Sequence, residues 1–85
     1  MNVGVEQLME RIGDLGVTVI IKVDGERAPE EGRWTFVASG GPFAEEGPIR
    51  IDGPSLDECL SKGLSLIKSR GEEWRWLEGI RVSEW

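Results

Sequence analysis

Pro54-Ser55-Leu56-Asp57-Glu58-Cys59-Leu60-Ser61-Lys62-Gly63-Leu64-Ser65-Leu66-Ile67 carries the strongest local signal of this chain. Ser55 followed three residues later by Glu58 is a capping box: the hydroxyl accepts from the Glu58 backbone N–H, and the carboxylate reaches back to the N–H of Ser55. Leu56, Cys59, Leu60, Gly63, Leu64 and Ile67 then recur at the three-and-four spacing of one helical face. Asp57 and Glu58 sit at the positive end of the helix dipole, Lys68 and Arg70 at the negative end, and Gly71 supplies a stop. The spacing predicts a helix over Leu56–Arg70. Gly63, on the apolar stripe, predicts close approach of that helix to whatever it covers.

Reading backwards, Ile49-Arg50-Ile51-Asp52 is a short strand, separated from its predecessor by the Gly/Pro loop Gly40–Pro48. Arg33–Ser39 alternates, with Trp34, Phe36 and Ala38 on one face. Val17–Val23 alternates as well, and its density of β-branched residues makes it a strand, with Ile20 apolar on the second face. The acidic stretch Asp24–Gly32, with Pro29, is a hairpin loop longer than the tight two-residue kind. Short connections favour an antiparallel meander. Upstream, Val5, Leu8, Met9, Ile12 and Leu15 define a helix over Val5–Leu15, ended by Gly16. The expected fold is therefore α+β: helix, three-stranded antiparallel meander, helix, in one domain over residues 1–85, with both helices on one face. Expected inward residues are Leu8, Ile12, Val19, Ile21, Trp34, Phe36, Ile49, Ile51, Leu60, Leu64 and Ile67. Glu72–Leu77 reads as a short helical turn, and Gly79–Trp85 alternates well enough to add a fourth strand.

Composition removes whole classes of chemistry. The 85 residues contain ten Lys+Arg against sixteen Asp+Glu, net −6, with no His, no Tyr and one Cys. A single Cys59 cannot form an intramolecular disulfide. One Cys without His cannot supply a structural zinc tetrahedron, and Ser–His or Cys–His nucleophile pairs are excluded. No apolar run approaches the ~20 residues of a membrane span, and residues 1–7 lack the pattern of a signal peptide. A soluble cytoplasmic protein without cofactor or metal is expected. The acidic balance opposes a phosphate-binding surface, because nucleic-acid binders gain affinity from clustered Lys and Arg, and here the ten bases are dispersed.

Several patterns invite functional readings. Ser65-Leu66-Ile67-Lys68 matches the Ser-x-x-Lys of penicillin-recognising enzymes, but the partner motifs are absent, leaving a coincidence on a helix surface. Cys59 lies on an apolar stripe, where a thiol behaves as a small hydrophobe. Glu30–Glu31, Glu45–Glu46 and Glu72–Glu73 are paired acids beside Gly and Pro, the setting of solvated surface. Gly40-Gly41 lacks the following motif of a phosphate cradle. Three of the four Trp (Trp74, Trp76, Trp85) fall in the last twelve residues, more than a small core easily absorbs; interface and core both remain open for them.

The succession strand, hairpin loop, strand, Gly/Pro loop, short strand and Asp52-Gly53-Pro54-Ser55-Leu56-Asp57-Glu58-Cys59-Leu60 resembles the N-terminal domain of HicB-type antitoxins over residues 17–70. Gly40-Gly41-Pro42-Phe43 replaces that family's Leu-Pro-Gly-Cys-like segment. A helix precedes the first strand, and the family's C-terminal DNA-binding domain has no counterpart in these residues. The αβββα order is also similar to double-stranded-RNA-binding domains, without their basic cluster at the second helix.

The expected function is that of a small acidic, non-enzymatic protein-binding module, inhibitor or antitoxin-like, that occludes a basic protein surface. The alternative is a nucleic-acid-binding module of the double-stranded-RNA-binding type. Expected partner contacts are Glu26, Glu30, Glu31, Phe43, Glu45, Glu46, Trp74, Trp76 and Trp85, with a homodimer as a further expectation.

Overall fold

Helix α1 spans Val5–Asp14 and opens without a side-chain cap of its own; instead the Gln7 Oε1 accepts from the Gly4 N–H at 3.3 Å. Its apolar stripe buries Leu8 and Ile12, and the chain reverses at Gly16, whose φ of 89° suits a residue without Cβ. The computed structural model describes residues 2–84. Three strands follow the turn: β2 over Thr18–Val23, β3 over Trp34–Ser39 and β4 over Ile49–Gly53, in the spatial order β2-β3-β4 with both pairings antiparallel. The expected meander is present.

Registers place Ile21 opposite Phe36 and Phe36 opposite Ile51, with Val19, Ala38 and Ile49 as the next row of the same face. Helix α2, Leu56–Lys68, lies across β3 and β4 on that face and begins as the sequence dictates, with the Ser55 hydroxyl accepting from the Glu58 N–H at 3.2 Å. It ends two residues before the expected Arg70, where the Ser69 hydroxyl donates to the Leu66 carbonyl at 2.6 Å. Gly63 explains the closeness of the helix: a Cβ there would fall 2.5 Å from the Phe36 ring. Cys59 also fits tightly, its Sγ donating to the Trp34 carbonyl at 3.3 Å.

One core joins the inward sheet face to both helices: Leu8, Ile12, Phe36, Ala38, Ile49, Leu60 and Ile67 are buried together. Of the other expected inward residues, Val19, Ile21, Trp34, Ile51 and Leu64 are partly buried against this cluster. Val17, Phe43, Trp74 and Leu77 join it as well.

The tail differs from the simplest expectation in its partner. A 3-10 helix over Glu72–Gly79 buries Trp74 and Leu77 in the common core. Strand β5, Arg81–Glu84, then pairs in parallel with β1, Asn2–Gly4, as a separate two-stranded sheet beside α1. The tail thus supplies a further strand, but to a second sheet built with the N-terminal segment. No helix among the described residues is long and apolar enough to cross a membrane.

Candidate binding surface

The hairpin loop between β2 and β3 is held by its own polar groups. Asp24 accepts the Glu26 N–H at 3.0 Å and the Arg27 Nε at 3.1 Å, an Asx-type closure that fixes the first turn. Glu31 accepts the Ala28 N–H at 2.8 Å, and the Arg33 Nε donates to the Arg27 carbonyl at 3.0 Å. These bonds hold Asp24 below the ordinary carboxylate value, the Glu26 N–H contributing most and the Arg27 guanidinium next. Glu26, Glu30 and Glu31 are exposed around this frame.

Register adds more carboxylates at the same end. Val23 lies opposite Trp34 and Trp34 opposite Gly53, so the end of β2, the start of β3 and the end of β4 are side by side, and α2 starts directly after them. Asp52, Asp57 and Glu58 thereby join the hairpin acids. The 3-10 turn Pro29–Glu31 contacts β4, and on β3 the buried Thr35 donates its hydroxyl to Asp52 at 2.6 Å. That bond, with Arg50 nearby, holds the Asp52 carboxyl below its usual range. The sequence marks Asp57 and Glu58 as first-turn acids of α2 rather than as partner contacts, and gives Asp52 no such role. Their grouping with the hairpin depends on strand register, which sequence spacing does not display.

The other expected contacts fall elsewhere. Glu45 and Glu46 occupy the loop between β3 and β4, at the opposite end of the sheet, and both are exposed. Glu46 meets the Arg70 Nε at 3.4 Å, while the Arg70 Nη1 donates to the Gly47 carbonyl at 3.2 Å. Arg70 also lies over the Phe43 ring, 5.1 Å from its centroid. Phe43 and Trp74 do come together, with ring centroids 5.4 Å apart, but as core: Phe43 is 1% exposed and Trp74 0%. Neither offers area to a partner in this conformation. The physical reason is the sequestration of both rings beneath the 3-10 helix and the β3–β4 loop, a long-range contact that neither segment announces. The Trp74 Nε1 is buried without a hydrogen-bond partner.

Trp76 is half-buried and stacks under Arg11, whose guanidinium carbon is 4.2 Å from the ring centroid. Leu15 and Glu73 stand beside it around a shallow groove of about 340 Å³. The expected contact at Trp85 lies outside the described residues.

Nucleophilic chemistry finds little support in the one thiol. Cys59 is fully buried, and burial pushes its pKa above the ordinary 9.0, with Asp52 and Glu58 adding to the shift. A thiolate is the reactive form, so this group is inert in the folded chain. Among the described residues, no group of three or more His, Cys, Asp or Glu is arranged to hold a metal ion. What the surface provides is an ordered acidic end, next to the exposed apolar side chains Ile20 and Val23 of β2. No protein-family model, curated protein or solved structure matches this chain.

Proposed function

We propose that this chain is a small acidic protein-binding module of the inhibitor or antitoxin-like kind, acting without catalysis by covering a basic surface of another protein. The observation that carries the reading is the acidic hairpin end. Glu26, Glu30 and Glu31 project from a loop whose backbone is already fixed by hydrogen bonds, so little ordering entropy opposes binding there. A net charge of −6 steers such an end toward a positive partner and away from nucleic acid. The resemblance of residues 17–70 to the N-terminal domain of HicB-type antitoxins supports the same reading.

Capture from an extract of the source organism tests the proposal, with the native chain and an E26K/E30K/E31K variant run in parallel. The expected result is a basic protein retained at low salt by the native chain, released by raised salt and lost with the triple variant. Equal retention by both chains would overturn the reading. The αβββα order favours one rival, an RNA-binding module. Binding of double-stranded RNA at about 50 mM salt, weakening steeply as salt rises, would establish that rival instead.

A further inference from the structure

The exposed side of α1 breaks the ordinary rules for charge on a helix. Glu6, Glu10 and Asp14 are exposed at successive spacings of four, so like charges follow one another down a single stripe. The stripe ends with Asp14 at the negative end of the helix dipole, where a cation is favoured and a carboxylate costs stability. Arg11 is the one base of α1, and its guanidinium lies over the Trp76 ring, 4.2 Å from the centroid. Local rules broken without compensation inside the fold mark a functional surface.

The stripe runs into the groove of about 340 Å³ between α1 and the 3-10 helix Glu72–Gly79. Arg11, Asp14 and Leu15 line one side of it, Glu73 and Trp76 the other. Leu15 is 45% exposed and Trp76 is half-buried, so the groove offers apolar area beside its charges. Among the described residues, neither the Asp14 nor the Glu73 carboxylate has a hydrogen bond or an ion pair. The surrounding charge does not balance. The two elements carry Glu6, Glu10, Asp14, Glu72, Glu73 and Glu78 against Arg11 and Arg75, and Arg75 does not line the groove. Arg70, just before the 3-10 helix, is engaged by Glu46 and by the Gly47 carbonyl.

We propose that this groove seats a lysine side chain of the basic partner, its aliphatic stem along Leu15 and Trp76 and its ammonium between Asp14 and Glu73. The proposal rests on the basic-partner reading above and adds a second contact, at the other end of β2 from the hairpin. Lysine suits the groove better than arginine for a geometric reason. A guanidinium gains most by stacking on an aromatic face. Arg11 already occupies the Trp76 ring, and Trp74 stands 6.5 Å from it, ring centre to ring centre. An ammonium needs no such face: it is a compact charge whose donors turn toward both carboxylates, on a flexible stem that covers apolar surface.

The test titrates the isotope-labelled protein with N-acetyl-lysine methylamide and follows the Trp76 indole N–H and the Leu15 methyl groups by NMR. Both are expected to shift with half-saturation on the order of 10 mM, and the binding should weaken as salt rises. N-acetyl-norleucine methylamide, which keeps an aliphatic stem without the charge, should shift neither, and the arginine analogue should bind less tightly. A D14N/E73Q variant should bind the lysine amide about fivefold more weakly. Asp14→Asn relieves the carboxylate at the helix end, so this variant should melt no lower than the native chain and its loss of binding does not reflect unfolding. The proposal is overturned if about 50 mM lysine amide leaves Trp76 and Leu15 unshifted, or if the norleucine or arginine analogue binds as tightly. It is also overturned if spermidine saturates the groove while the lysine amide does not, which would assign the groove to a free polyamine. In the extract capture, D14N/E73Q should retain less of the basic protein than the native chain. Should it retain as much while E26K/E30K/E31K retains none, the groove proposal falls and the proposed function stands. Should no chain retain a basic protein, the proposed function itself falls, and the groove proposal with it.

Discussion

A matched pair of glycine substitutions tests the packing of α2 on the sheet. At Gly63 an added Cβ would lie 2.5 Å from the Phe36 Cδ1 and 2.6 Å from its Cε1. Carbon atoms settle about 3.5–4.0 Å apart, so Gly63→Ala demands a displacement of about 1 Å between helix and ring. Phe36 is 1% exposed on the central strand and cannot retreat freely. Overpacking of this kind costs roughly 1–3 kcal/mol, against the gain of about 1 kcal/mol from replacing Gly by Ala within a helix. The net expectation is a loss of about 1 kcal/mol. Gly13, in α1, isolates the second effect: nothing lies within 4 Å of a Cβ built there. Gly13→Ala should therefore stabilise by up to about 1 kcal/mol. For a chain of this size each kcal/mol moves the melting temperature by about 4–8 °C, so melts followed by circular dichroism should separate the two variants in opposite directions. Adding Phe36→Leu to Gly63→Ala should recover part of the loss, as expected of two residues in direct contact. If Gly63→Ala stabilises as much as Gly13→Ala, the close contact between α2 and β3 is refuted.

Three further outcomes follow from buried or bonded groups. Because Thr35 holds the Asp52 carboxyl below its ordinary value of 3.8, the folded chain binds that proton less readily than the unfolded one. The stability this contributes is complete above 3.8 and is lost as pH falls through the lowered folded value; Thr35→Val should shrink that acid-side slope in urea titrations, and an unchanged slope would count against the bond. Cys59 should resist a thiol-specific reagent in native buffer and react promptly once urea unfolds the chain, whereas rapid native labelling would contradict its burial. Trp74→Ala should cost roughly 3–5 kcal/mol in urea unfolding, a large part of what a chain this small can hold. Trp76→Ala, half-buried beneath Arg11, should cost less, and equal costs would refute the assignment of Trp74 to the core.

Acidic surface was legible in advance for a simple reason: Gly and Pro beside Glu30, Glu31, Glu45 and Glu46 mark turns, and turns are wet. Composition also removed histidine-dependent and disulfide-dependent chemistry before any fold was known. The surplus tryptophans were not resolved this way. Trp74 and Trp76 are two residues apart on the same 3-10 helix, yet one is sealed against Phe43 and the other lies under Arg11. Only the position of the β3–β4 loop and of α1 separates their environments.

Local patterns were enough to determine both helices, the three meander strands and the role of Gly63, because capping, period and turn chemistry act over a few residues and are written in sequence order. Tertiary structure alone decided the rest. It paired β5 in parallel with β1 across nearly the whole chain, a partnership that no local pattern encodes. It brought Asp52, Asp57 and Glu58 to the hairpin end through strand register. It also left β2 as an edge: a strand's alternation shows which side chains face inward, but whether its outward amides find a neighbour depends on where every other element comes to rest.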